Sequence, residues 1–199
     1  MSEPRIPPRP TREWTPEVME AIDQMTPPPG SIYAERRKER GGAGGVNALA
    51  LLARHPALAK GFMAFNRHLL YESGLDERTR ELIVLRLAWY YRSPYEWGQH
   101  VLVAEQLGMD RAEIDRVIDG PDAPDRSGFD AAVLRATDQL LARGDIDDDT
   151  WAALAAELDE PGLLDLIFTV GGYATRAMAF NACGLPLDPD LEGFPADRR

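Results

Sequence analysis

An all-α fold is what this sequence predicts, and three observations carry it. From residue 46 onward apolar residues recur at helical spacing, and no stretch alternates apolar with polar residues as a strand would. Ser, Thr or Asp stands where the periodic stretches begin and Gly where they end. Hydrophobic residues make up 44% of the 199, enough to build a real core, and that length fits one ordinary domain.

Taken in order, residues 1–45 form an arm of different composition. Eight of the sixteen prolines precede residue 30, seven of them in PRIPPRP and TPPPG, and GGAGG follows at 41–45. Only TPEVMEAIDQM offers helical spacing there, with Thr15 as its cap and Pro16 in its first turn. The arm is expected to lie over the body or over a neighbouring subunit, and Trp14 and Tyr33 could line or cover a pocket. The basic run RRKER at 36–40 reads as a solvated face or a mobile loop. GGAGG lacks the preceding strand and the lysine of a phosphate-cradling loop.

Residues 46–185 form the helical domain. NALALLARH leads into PALAKGFMAFNRHLLYESG, which breaks at Gly74. DERTRELIVLRLAWYYR ends at Ser93-Pro94, PYEWGQHVLVAEQLG at Gly108 and DRAEIDRVIDG at Gly120. After the loop GPDAPDRSG come FDAAVLRATDQLLARG, DDDTWAALAAELDE and the long PGLLDLIFTVGGYATRAMAFNACG. Residues 186–199 are a proline-containing tail.

The formal net charge of -11 argues against a nucleic-acid partner, which needs clustered Lys and Arg to neutralise phosphates. It argues equally against an anionic membrane surface. No apolar run approaches the ~20 residues that cross a bilayer, and no secretory signal is visible. The single cysteine, Cys183, cannot form an internal disulfide. A cytoplasmic protein is expected.

Chemistry concentrates in SPYEWGQH, residues 93–100. At about 100° per residue, His100 falls about 40° from Glu96, in the middle of the helix's apolar stripe, with Glu96 inside its edge. Charged groups rarely go there without a partner, because losing water is costly. The preceding helix is apolar all round from Leu82 to Tyr91 except for Arg86, which marks it as buried, and Glu81 stands at its entry. Two consecutive helices therefore bring Glu81, Arg86, Glu96 and His100 into or beside the interior, as a proton-transfer site would. Blander readings stand beside this one. Ser93-Pro94-Tyr95-Glu96 fits a capping box, in which Glu96 reaches back to a backbone N–H. His100 could be a core histidine bonded to a carbonyl, and Arg86 a structural ion-pair partner. His68 could join Glu81, Glu96 and His100 around a metal, but Glu-x-x-x-His without further fixed spacing is a poor ligand signature, and no metal is expected.

The stretch RELIVLRLAWYYRSPYEWGQHVLVAEQLGMDRAEIDRV resembles the carboxymuconolactone decarboxylase family, which includes the alkylhydroperoxidase AhpD, and the likeness extends loosely over residues 45–185. The resemblance implies an all-α, AhpD-like helical domain that assembles into a trimer or hexamer, with sites near subunit contacts. In the AhpD branch a glutamate precedes a Cys-x-x-Cys pair, and a histidine follows four residues later. Glu81 and His100 match the glutamate and histidine, whereas Ser93 and Glu96 stand where the cysteines would be. Thiol-dependent peroxide reduction does not carry over, because the thiolate is its nucleophile.

The decarboxylase branch implies cofactor-free action on small carboxylated lactones. On that reading His100 is the proton donor, Glu96 and Glu81 orient and charge it, and Arg86, His68 and Trp97 are candidate substrate contacts. No cofactor is expected. Lactone or keto–enol isomerisation by the same groups, or binding of a small ligand without turnover, remain open.

Overall fold

The computed structural model describes residues 3–39, 45–124 and 126–196. Among these residues every regular element is helical. The arm contributes a single 3-10 turn, Thr11–Glu13, then α1 (Pro16–Asp23) and α2 (Ile32–Glu39). The body comprises α3 (Val46–Leu52), α4 (Pro56–Arg67), α5 (Glu77–Tyr90), α6 (Pro94–Gln106), α7 (Arg111–Asp119), α8 (Gly128–Arg143), α9 (Asp148–Ala155) and α10 (Glu160–Cys183).

The start and stop signals act as their chemistry dictates. The side chains of Asp76, Asp110, Ser127, Asp147 and Asp159 each accept the backbone N–H three residues on, at 2.8–3.0 Å, at the starts of α5 and α7 to α10. Gly184 takes φ 67° past α10, which lets Leu185 N–H reach back to the carbonyl of Phe180.

At the centre lies α5, whose Leu82, Ile83, Val84, Leu85, Leu87 and Ala88 are fully buried. It packs against α6, α8 and α10, so every side of an all-apolar helix is covered. The corner into α6 turns on Arg92, the one non-glycine residue with positive φ (50°) among those described, and its guanidinium lies 3.7 Å from the Trp89 ring centroid. That corner folds α6 back along α5, so that Trp97 meets Trp89 and His100, one turn further on, meets Glu81.

Three features depart from the sequence reading. The arm holds a second helix, α2, which carries no apolar stripe; its Ala, Glu, Arg and Lys favour helix intrinsically, and the Ser31 hydroxyl accepts the N–H of Ala34. Within RRKER, Lys38 is exposed and pairs with Glu35, while Arg40 and residues 41–44 lie outside the described residues. The stretch after α4 continues as a π-wound turn, His68–Glu72, so its side chains do not follow the 100° rule. Finally, the tail from residue 186 packs back on α6. A Cβ on Gly98 would come 2.5 Å from the Glu192 carbonyl oxygen, and Phe194 sits against Trp89 and Trp97.

Candidate functional site

Four elements converge beside the start of α5. Glu81 and Arg80 come from its second turn, Glu96 and His100 from successive turns of α6, Tyr173 and Arg176 from the middle of α10, and Tyr33 from α2 of the arm. Glu81 and Glu96 are fully buried and His100 is 4% exposed. Ionised groups so placed must be paired, and these are.

The imidazole lies between two carboxylates. His100 Nδ1 is 2.6 Å from Glu81 Oε2, a short charge-assisted hydrogen bond, and Nε2 is 3.4 Å from Glu96 Oε2. Glu96 in turn pairs with Arg176, whose Nε lies 2.9 Å from Oε1 and whose Nη2 donates to Oε2 at 3.2 Å. Arg176 Nη1 also donates to Asn66 Oδ1 at 3.2 Å. On the far side, Tyr33 donates its hydroxyl hydrogen to Glu81 Oε1 at 3.3 Å and accepts from Arg80 Nη2 at 2.9 Å. Arg80 Nε lies 3.6 Å from Glu81 Oε1.

Burial alone would push the His100 pKa down, but the Glu81 charge and hydrogen bond, with Glu96 behind them, outweigh it and raise it above the ordinary imidazole value. Burial would likewise raise the Glu81 pKa; the imidazolium, Arg80 and the Tyr33 hydroxyl reverse this and hold it below the ordinary carboxyl value. Both shifts favour the ion pair, an imidazolium beside a carboxylate. Two carboxylates, Glu81 and Glu96, thus sit among the Arg80 and Arg176 guanidiniums and the His100 ring.

This cluster borders a cavity of about 170 Å³. Its polar wall includes His100, Asn66, Gln99, Arg176 and four tyrosines, and apolar side chains such as Leu49, Phe62, Met63, Val103 and Phe180 complete it. Ile22, Met25, Pro27 and Tyr33 of the arm close one side, so the arm lies over its own body. The volume is in the class of the ~150 Å³ cavity that admits a benzene-sized ring. Gln99 and Tyr95 are held from behind by the tail: both donate to Asp188 Oδ2, at 3.0 and 2.9 Å.

Of the residues singled out from sequence, Glu81, Glu96 and His100 meet, and Arg86, His68 and Trp97 do not. Arg86 faces the other way, gripping both Asp138 oxygens (2.7 and 2.8 Å) and the carbonyls of Val117 and Ile118. It ties α5 to α7 and α8. His68 Nε2 pairs with Asp165 Oδ1 at 2.7 Å beside a separate recess, which also removes it from any metal set with His100. Trp97 is fully buried in a stack with Trp89 and Phe194. The capping box is not formed either. Ser93 makes no side-chain cap, and its N–H is bonded to the Ala88 carbonyl, so Glu96 is free to serve Arg176 and His100.

The residues that sequence reasoning passed over are Arg176, Asn66, Arg80 and Tyr173. A signal existed for Arg176: it is the only cation in α10, set within otherwise apolar GGYATRAMAF.

Residues 56–139, which carry α4 to most of α8 with Glu81, Glu96 and His100, match the model of the Carboxymuconolactone decarboxylase family. The likeness to that family rests on those residues, which cover less than half of the chain. No protein of curated function matches the sequence significantly. Among solved structures the fold is similar to that of an uncharacterized peroxidase-related protein with an alkylhydroperoxidase AhpD core from Ralstonia eutropha JMP134, at TM-score 0.76 and 16% identity over 96% of this chain and 95% of that one. A peroxidase-related protein from Silicibacter sp. TM1040 gives 0.72 and 14%, covering 96% of each chain. The debrominase Bmp8, in complex with 2,3,4-tribromopyrrole, gives 0.70 and 11%, over 93% and 92%. At such identities the likeness concerns the AhpD-like fold alone. The carboxymuconolactone decarboxylase segment supplies α5 and α6, while Tyr33, Tyr173 and Arg176 come from outside it.

Proposed function

We propose that this chain is a cofactor-free acid–base enzyme that decarboxylates a small carboxylated lactone or a related conjugated carbonyl acid. One observation carries the reading: a buried imidazole, paired with two carboxylates that favour its charged form, forms part of the wall of a ring-sized cavity that the Arg176 guanidinium also lines.

Each part then has work to do. Arg176 replaces Arg86 as the group that holds the substrate carboxylate, since a guanidinium matches that anion's geometry. The apolar wall strips water from the carboxylate, and its charge disperses as the bond to the ring carbon breaks. The electron pair moves into the conjugated carbonyl, CO2 leaves, and His100 delivers a proton to the carbon. Glu81, at 2.6 Å, fixes the ring by Nδ1, leaving Nε2–H, whose 3.4 Å contact with Glu96 is long for a hydrogen bond, as the proton to be given. Water later restores it. Cys183, half-buried at the end of α10, is absent from the cavity wall.

Isomerisation is the second reading, favoured by the contact of Glu96 with His100 Nε2: Glu96 lies behind the cavity wall and would act through the imidazole, which gives a proton to one carbon and takes one from another. Adding a carboxymuconolactone to the purified protein and following ultraviolet absorbance with released CO2 separates the possibilities. Absorbance change with CO2 supports decarboxylation; absorbance change without CO2 supports isomerisation. A saturable thermal shift with neither leaves only binding and rejects the enzyme.

A further inference from the structure

Four tyrosines line the cavity, and three have partners. Tyr33 hydrogen-bonds with Glu81 and Arg80, Tyr71 donates to the Met25 carbonyl at 3.2 Å, and Tyr95 donates to Asp188 while accepting from Ala48 N–H at 3.1 Å. The fourth, Tyr173, is 0% exposed, and its hydroxyl meets no protein group in hydrogen-bond geometry. Buried hydroxyls are ordinarily satisfied, so one left over beside a cavity is available to whatever enters it. Its ring is well fixed: it meets the His100 ring edge-on at 5.1 Å, and the Arg176 guanidinium lies 4.5 Å from its centroid. The ring is held in place at the cavity wall while its polar atom has no partner.

We propose that Tyr173 is a catalytic hydrogen-bond donor that holds the carbonyl oxygen of the substrate, the atom on which negative charge collects as CO2 departs. This rests on the decarboxylase reading for the reaction, but the binding claim stands by itself: the cavity takes a small ring that carries an oxyanion or a strongly polar carbonyl. No proton is transferred by Tyr173. The C–C electron pair flows to the carbonyl oxygen, the hydroxyl hydrogen bonds to it there, and the proton that replaces CO2 comes from His100. Burial raises the Tyr173 pKa above that of an ordinary phenol, which keeps the hydroxyl a donor across the working range. The position also explains why Arg176 and Tyr173 sit three residues apart on one helix. One turn of α10 presents a cation for the carboxylate and a donor for the carbonyl, two points of grip on the same ring.

The test is Tyr173→Phe, which keeps the ring and both of its aromatic contacts. The probe is 4-nitrophenolate, a ring-sized oxyanion whose binding is read by its visible absorbance. Wild-type protein is expected to bind it, and Tyr173→Phe to bind at least about 10-fold more weakly, with a melting temperature equal to or above wild type because an unsatisfied buried group has gone. Where wild type turns over a lactone, kcat should fall about 100-fold. Absence of wild-type binding, affinity within about twofold in the variant, or a melting temperature several degrees lower would each overturn the proposal. Phenolate binding through Tyr173 with an untouched lactone would sink the decarboxylase reading and keep this one. Lactone turnover with undiminished kcat in Tyr173→Phe would do the reverse.

Discussion

Replacing Glu81 by glutamine tests how the imidazole is kept charged. The amide preserves the size of the side chain and one acceptor for His100, so the change is mainly loss of a negative charge. Hydrogen bonds to charged groups contribute about 1.5–3 kcal/mol and neutral ones about 0.5–1.5, so the pair itself loses about 1–2 kcal/mol. Arg80, 2% exposed, also loses its nearest buried anion, Glu81 at 3.6 Å, while exposed Glu77 lies 3.9 Å away. At about 2–4 °C per kcal/mol for a chain of this size, melting should fall by roughly 2–8 °C near pH 6.

The pH dependence gives the sharper signature. The His100 pKa is raised by folding, so its contribution is complete below the unfolded value of about 6.5 and fades as pH rises through the folded one. The Glu81 pKa is lowered, so its contribution is complete above about 4.3 and fades as pH falls through the folded value. The gap between wild type and Glu81→Gln should therefore be widest between about pH 4.3 and 6.5 and narrow on both sides. Thermal melts of both proteins across pH 3 to 10 (about one unit apart) measure it. A gap that is absent, or constant with pH, would refute the assignment of a charged pair.

Two further outcomes follow from the same geometry. Arg176→Met should cost about 3–5 kcal/mol, because Glu96 is left as an uncompensated buried charge, and should raise KM for an anionic substrate; melting and steady-state kinetics check it. Asp188→Ala removes the carboxylate to which Tyr95, Gln99 and the Asn47 backbone N–H all donate, so about 1–3 kcal/mol of stability should go, read from the denaturant midpoint.

Much of this site could be read from sequence, and the reasons are specific. Glu96 and His100 lie one turn apart on a helix whose stripe is otherwise apolar, so angular position alone places both inside. Glu81 was recoverable because it heads a helix apolar on every side. That same property defeated the reading of Arg86. A helix without a polar face has no angular reference, and Arg86 turned toward Asp138 and the end of α7. His68 escaped because the chain winds as a π turn from that residue onward. Arg176 and Tyr33 depend on partners 80 and 48 residues away, and no local pattern encodes such a meeting. The fold class was the easier part, since caps and glycine stops are local signals. The exception, α2, lacks an apolar stripe and reaches the site through Tyr33.

The most direct measurement of the central claim is kcat/KM for a carboxymuconolactone across pH, in wild type and in His100→Ala. The account expects a rate that declines on the alkaline side, above the ordinary imidazole range, as His100 loses its proton, and a loss of at least about 100-fold in the alanine variant with the fold intact by circular dichroism. A folded His100→Ala protein that turns over at the wild-type rate, or a wild-type rate that ignores pH through that range, would contradict it.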